Sequence, residues 1–290
     1  MQVNTYKWAI GAMLVLLIGV PCLAADGIVY VDARAAGAND GTSWENAYGY
    51  LQDALAAAES FDASLEIRVA RGTYRPDNGA GILPGDRHAA FDLRGGVILM
   101  GGYAGLGAAD PDARDVETWR TVLSGDLAGN DIPLNDLQWQ TLFDYATDAT
   151  LGDNSIAVVT AMDSADETAV LDGFTITAGY ANVNSHASPS YRRDGGGGGG
   201  LCCAEGSPVI RDCTFRRNTA YCTAVEICRG GGMANFAGSP TLMGCTFEEN
   251  ISFGQGLSGF GGAVYNDQGG DGTFTDCLFR ANVAAGWNSA

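Results

Sequence analysis

Residues 207–218 read SPVIRDCTFRRN, residues 239–250 read SPTLMGCTFEEN, and residues 271–282 read DGTFTDCLFRAN. Phe215, Phe247 and Phe279 are spaced by 32 residues, as are Cys213, Cys245 and Cys277, and Asn218, Asn250 and Asn282. Ile210, Leu242 and Phe274 keep the same period. A glycine-rich partner precedes each block: GGGLCC at 198–203, GGGMAN at 230–235 and GGAVYN at 261–266. A weaker copy, LDGFTITAG, occupies 171–179. The units are rich in Gly, Thr, Phe and Val and carry no 3.6-residue apolar pattern, so they are not helical repeats. Cys213 and Phe215 share parity and face one side of a strand. Ile210 has the opposite parity yet is apolar in every copy. A corner between Ile210 and Cys213 returns it to the inside. Short strands joined by corners at a fixed period describe the coils of a solenoid.

Stacked coils place equivalent residues ~4.8 Å apart as ladders. The Phe ladder then supplies the inner core, roughly 1.5–3 kcal/mol per buried ring. The Asn ladder is expected at a corner, where Asn tolerates a left-handed backbone and bonds its own chain. The glycines permit sharp bends between strands. Cys213, Cys245 and Cys277 repeat at one inward position. In-register Cβ atoms near ~4.8 Å lie beyond the usual disulfide separation, so a reduced, buried stack is predicted. Each ladder is explained without a ligand.

These patterns resemble right-handed parallel β-helix repeats. The GG[AGIL] and FxxN motifs resemble those of polymorphic outer membrane proteins, on Gly261-Gly262-Ala263-Val264, Phe215-Arg216-Arg217-Asn218, Phe247-Glu248-Glu249-Asn250 and Phe279-Arg280-Ala281-Asn282. The resemblance covers residues 171–282 and implies a fold more than an activity. It departs from that family in one respect: no C-terminal translocator barrel lies within the 290 residues. The chain stops near where another GG unit would fall. The expectation is either a fragment continued by further coils or a last coil capped by a partner, because an uncapped coil exposes strand edges and invites association.

The N-terminal part is expected to start the same solenoid. IVYVDA at 28–33 alternates as a strand, 65–70 and 97–103 read as further strands, and Leu51, Ala54, Leu55 and Ala58 mark an amphipathic helix near 46–59. Thr42 and Glu45 have capping-box spacing. The order VDA, GTSW, helix, VARGTY resembles the start of pectate-lyase-like β-helices, which implies that the helix caps the N-terminal end. The domain reading is a signal peptide at 1–25 and one all-β domain at 26–290. Within it, 26–105 forms capped coils, 106–170 loop-rich coils, and 171–290 the regular repeats.

Export is read from the first 25 residues. Lys7 is followed by thirteen apolar residues, Trp8 to Val20, and then by small residues suited to cleavage after Ala24 or Ala25. No other stretch reaches the ~18 apolar residues of a membrane helix. The expected location is therefore extracellular, cell-surface or outer-membrane-associated, with no transmembrane segment after cleavage. Lys+Arg number 16 against 34 Asp+Glu, a net charge of −18, which excludes a nucleic-acid partner of ordinary kind. Cleavage would remove Cys22 and leave seven Cys, so at least one thiol has no internal partner. Cys222 and Cys228, in YCTAVEIC at 221–228, are disulfide candidates, with Cys202 or Cys203 as alternative partners.

Chemistry is harder to read. Asp126 and Asp131 flank SGDLAGND, Asp163, Asp166 and Glu167 cluster, and Asp172 opens the weak repeat. Paired carboxylates can bind Ca2+ or serve glycoside hydrolysis, although loop Asp is more often a turn former. Arg192, with Arg193, is the candidate basic partner of a lyase. No metal ligand set stands out and no cofactor is expected, with Ca2+ the one that the paired carboxylates leave possible. The function expected is adhesion or glycan binding through loops on a structural solenoid, with a polysaccharide or cell-surface glycan as partner. The alternative is a carbohydrate-active enzyme, such as a Ca2+-dependent polysaccharide lyase or a glycoside hydrolase.

Overall fold

The computed structural model describes residues 27–61, 64–131, 144, 146–182, 197–223, 228–255 and 259–287. Every strand pairing in its sheets is parallel, and chain neighbours are never sheet neighbours beyond the first pair. The chain is a parallel β-solenoid. One face stacks seven strands: Gly27–Val31, Leu65–Ala70, Val97–Tyr103, Val170–Asp172, Val209–Arg211, Thr241–Met243 and Thr273–Thr275. A second face stacks six: Gly72–Tyr74, Thr121–Ser124, Phe174–Thr177, Thr214–Arg216, Thr246–Glu248 and Leu278–Arg280. A third stacks five: Phe91–Leu93, Val159–Ala161, Leu201–Ala204, Met233–Phe236 and Val264–Asp267. From the weak repeat onward a four-stranded sheet, Tyr180–Ala181, Thr219–Thr223, Ile251–Gln255 and Val283–Trp287, intervenes between the second and third faces.

The core follows from the register. On the first face Val29, Ile67, Leu99, Leu171, Ile210, Leu242 and Phe274 form one inward row. On the second the row is Tyr74, Leu123, Ile176, Phe215, Phe247 and Phe279. The rings of Phe215 and Phe247 stack at 4.7 Å, and those of Phe247 and Phe279 at 5.1 Å. Leu278 and Phe279, in the last coil, are 51% and 48% exposed. The corner required between Ile210 and Cys213 is made at Asp212, whose φ of 48° is left-handed; Gly244 and Asp276 repeat it at 63° and 52°. Cys213 and Cys245 are buried as free thiols and Cys277 is half-buried.

The asparagine ladder differs from expectation. The left-handed residues are the ones before it, Arg217, Glu249 and Ala281, with φ of 54°, 56° and 52°. The Asn side chains point inward, and Asn218 and Asn250 are fully buried. Each amide caps the turn instead. Asn250 Nδ2 donates to Phe215 O at 2.9 Å and to Asn282 Oδ1 at 2.9 Å, while its Oδ1 accepts from Asn218 N and Nδ2, both at 3.1 Å. The corner costs a left-handed residue, and the buried amide satisfies the backbone polar groups that the corner strands.

The glycine columns are set by backbone approach. Gly198, Gly230 and Gly261 have φ of 79°, 59° and 62°. A Cβ on Gly231 would lie 2.3 Å from Ile251 O. A side chain there would push the coil apart.

The helix is shorter than its periodicity predicts, Leu51–Ala58, and buries Leu51, Ala54 and Ala58 in the main core. Tyr50 precedes it with no side-chain cap, so Thr42 and Glu45 are not its capping box. Thr42 instead donates its N and Oγ1 to Asp40 Oδ1, at 3.0 and 2.7 Å. Residues 46–50 are held out of the helix because Tyr48 exchanges backbone bonds with the first strand, Tyr48 N to Tyr30 O and Asp32 N to Tyr48 O, both 2.9 Å.

Candidate functional site

The parity that sends Phe215, Phe247 and Phe279 inward sends their neighbours outward. On one side of the second face the outward row is Thr73, Val122, Thr175, Thr214, Thr246 and Leu278; on the other it is Ser124, Thr177, Arg216, Glu248 and Arg280. Three hydroxyls at strand spacing therefore run beside an alternating Arg–Glu–Arg row. Arg216 Nε lies 3.1 Å from Glu248 Oε1, and Arg280 Nε donates to Glu248 Oε2 at 2.6 Å. At the turn beyond, Glu249 Oε2 takes Arg217 Nε at 2.6 Å and Arg216 NH2 at 3.3 Å. Burial pushes the Glu249 carboxyl up, and the two guanidiniums outweigh it, so its pKa lies below the ordinary value.

A loop at 104–120 turns this face into a groove of about 580 Å3. Val116, Glu117 and Arg120 form one wall, and Thr175, Thr214, Thr246, Arg216, Glu248 and Arg280 lie across the floor. The loop folds back on the solenoid, with Tyr103 and Arg114 forming an antiparallel bridge. Two buried carboxylates fix it. Asp32, fully buried, accepts Leu106 N at 2.7 Å and Arg34 NH2 at 2.8 Å, and the same Arg34 group donates to Ala104 O at 3.0 Å. Asp172, 5% exposed, is ion-paired to Arg114 and, at 3.2 Å, to Arg211 NH2. Arg114 Nε also donates to Gly101 O at 2.9 Å.

The residues singled out from the sequence are scattered. Asp172 is the loop anchor just described. Asp166 accepts Thr168 N at 2.9 Å, and Asp163, Asp166 and Glu167 are exposed on a turn. Arg192 and Arg193 lie outside the described residues. Asp126 and Asp131 do come together. Asp126 Oδ1 accepts Gly129 N and Asn130 N at 2.7 and 3.0 Å, and Asp126 Oδ2 accepts Asp131 N at 3.4 Å. The structure brings Asp148 and Asp153 to the same place. Burial pushes the Asp131 carboxyl up to about 6; the bond from Asn154 opposes this, and Asp126, Asp153 and Asp148 add to it. Neither Asp126 nor Asp131 lines the groove. Cys222 and Cys228 are joined as a disulfide with Cα atoms 5.6 Å apart, so neither Cys202 nor Cys203 is their partner, and Cys203, Cys213, Cys245 and Cys277 are free thiols.

The groove residues stand in the sequence only as parts of the FxxN repeat motifs and not as candidate site residues. Their signal was the letter on either side of each repeated Phe: Thr214 and Thr246 before it, and Arg216, Glu248 and Arg280 after it. Opposite charges one period apart become cross-strand neighbours.

Among the described residues no three His, Cys, Asp or Glu side chains converge to hold a metal by themselves, and no helix is long and apolar enough to cross a membrane. The chain matches no family model, no curated protein and no solved structure.

Proposed function

We propose that this is an exported, right-handed β-helix protein that binds a polysaccharide or cell-surface glycan along the groove of its second face. The single observation that carries the reading is the groove itself. Its floor offers ranked hydroxyls and a fixed guanidinium–carboxylate row, the donors and acceptors that a chain of sugar hydroxyls can satisfy. Its wall is a loop clamped at two buried carboxylates, so little ordering has to accompany binding. The floor carboxylates Glu248 and Glu249 are each held by two arginines. General acid catalysis needs a carboxyl that holds its proton near neutral pH. Carboxylates locked in arginine pairs suit recognition better, and the pKa of Glu249 is held below its ordinary value, which favours binding over a hydrolase or lyase. In this reading residues 1–25 are a signal peptide, the helix Leu51–Ala58 closes the N-terminal end of the core, and the repeats are those of the pectate-lyase-like and polymorphic outer membrane protein type.

The test is a glycan panel of polyuronates and neutral polysaccharides, screened for binding and, in parallel, for new reducing ends and unsaturated products. Binding is expected without turnover, and Arg216→Ala together with Arg280→Ala should weaken it at least tenfold. Turnover of any member of the panel would overturn the binding reading. Binding that survives the double substitution would remove the groove from it.

A further inference from the structure

The corner excursion between Thr121–Ser124 and Val159–Ala161 gathers four carboxylates, Asp126, Asp131, Asp148 and Asp153, with no arginine ion-paired to any of them among the described residues. Several buried or half-buried carboxylates elsewhere meet arginines, Asp32 with Arg34, Glu66 with Arg68, and Asp172 with Arg114 and Arg211, while buried Asp77 instead accepts Gly85 N at 2.9 Å. Arg75 and Arg87 lie beside the cluster, and Arg87 feels the charge of Asp153, but their hydrogen bonds go to carbonyls. Arg75 Nε donates to Asp126 O at 2.6 Å, and Arg87 Nε donates to Asn154 O at 2.6 Å. Arg87 NH2 turns to Asn182 Oδ1 at 2.7 Å and Tyr180 O at 3.2 Å.

A second observation lies in Asn154, which is fully buried. Its Nδ2 donates to Asp131 Oδ2 at 2.9 Å, which lays the amide against the carboxyl. Its Oδ1 then has no partner, and neither has Asp131 Oδ1, although both atoms are buried. Two acceptors are thus closed off from solvent with nothing to accept. An unmet buried acceptor is costly, and one beside three further carboxylates is more so. A cation bound between them satisfies both oxygen acceptors and offsets the negative charge.

We propose that Asp131 Oδ1 and Asn154 Oδ1 are inner ligands of a Ca2+ ion, with Asp126 and Asp153 supplying the surrounding negative field. The donor set is oxygen only, which suits a hard cation and not zinc or copper. The four carboxylates do not close into a cage, so the remaining ligands are water that enters with the ion as the loop around Asp131 opens to admit it. Ca2+ accepts an irregular, partly hydrated shell, whereas Mg2+ demands near-octahedral geometry. A site with few protein charges belongs to the weak class, with Kd on the order of 10⁻⁴–10⁻³ M. This inference does not depend on glycan binding in the groove.

The test uses the whole protein, stripped with chelator and titrated with CaCl2 by calorimetry, with melting followed in 10 mM Ca2+, 10 mM Mg2+ or EDTA. One site per chain is expected, with a Tm rise of roughly 2–4 °C in Ca2+ and less in Mg2+. Asp131→Asn, nearly isosteric, should weaken Ca2+ at least tenfold and abolish the Tm rise. Absence of Ca2+ heat and of a Tm shift in the wild type would overturn the proposal, as would unchanged binding by Asp131→Asn. A proton is the rival occupant. If it fills the site, the Tm of wild type relative to Asp131→Asn should rise on going from pH 7 to pH 5 and ignore Ca2+. That result overturns the proposal too.

Discussion

Replacing Asn250 by Ala removes one side chain and leaves four hydrogen-bonding groups short. Asn218 loses the acceptor for its backbone N–H and for one amide proton, both at 3.1 Å. Phe215 O and Asn282 Oδ1 lose donors at 2.9 Å. Asn218 and Asn250 are fully buried, so water cannot replace the lost partner without opening the coil. A buried group left unpaired costs about 1–3 kcal/mol. Counting only the Asn218 N–H and the Phe215 carbonyl gives about 2–6 kcal/mol, a large part of the roughly 5–15 kcal/mol that holds an ordinary domain. Asn282→Ala breaks the same kind of rung in a half-buried place, where water can enter, and should cost nearer 1 kcal/mol. Asn250→Asp keeps the acceptor for Asn218 but sets a carboxylate against Phe215 O and Asn282 Oδ1. Its folded pKa should therefore rise above the unfolded value, and the folded state binds the extra proton. Stability then falls as pH climbs through the range between the two values and recovers below it. The assay is urea unfolding beside hydrogen exchange at the Asn218 and Gly179 amides. A loss under about 1 kcal/mol for Asn250→Ala, with the Asn218 amide still protected, would refute the claim that the ladder holds the corner.

Two further outcomes can be checked. Burial pushes the thiols of Cys203 and Cys245 up to about 12 and raises that of Cys213, so none should alkylate in the native state at pH 8, while half-buried Cys277 should react first; peptide mapping after iodoacetamide reads the order, and rapid labelling of Cys245 would contradict the packing. Arg114→Ala should cost about 2–3 kcal/mol, below the 3–5 of a fully buried pair because the Arg114 side chain is 27% exposed, and should also weaken glycan binding by freeing the groove wall; stability loss with unchanged proteolysis of residues 104–120 would break the clamp argument.

The ladders were legible because a period of 32 fixes register, and register fixes which side of each strand is inward. Phe215, Phe247 and Phe279 needed nothing more. The corner was legible as well, from the parity clash between Ile210 and Cys213. The left-handed residue was misplaced by one, because Asn has both the tolerance for that backbone and the amide to cap it, and only the packing decides which property is used. Thr42 and Glu45 misled for a related reason. Local spacing offers a cap, but Tyr48 pairs with the first strand and holds the chain extended to residue 50. Contacts over long separations left no local trace: Asp172 reaches Arg114 across 58 residues, and Asp131 reaches Asn154 across 23. The pairing of Asp126 with Asp131 was visible, but the two partners that give it meaning, Asp153 and Asn154, lie beyond an intervening segment.

The regular repeats also divide structural from functional information in a simple way. An inward position must fit the same neighbours in every coil, so it repeats as one residue, Phe, Cys or Asn, or as one apolar class, as at Ile210, Leu242 and Phe274. An outward position answers only to its two cross-strand neighbours and to whatever binds. There the favourable pattern is complementarity rather than identity, and Arg216, Glu248 and Arg280 alternate in sign. A search for identical letters at a period of 32 therefore finds the scaffold and, of the groove floor, only Thr214 and Thr246. Function in such a chain is better sought at outward positions whose neighbours one period away are complementary, and where an insertion such as residues 104–120 overhangs them. By that criterion the second face is the place to look, and the first is not. Its central outward row runs Tyr30, Arg68, Met100, Asp172, Arg211 and Met243, and is used up in holding the loop and packing against itself.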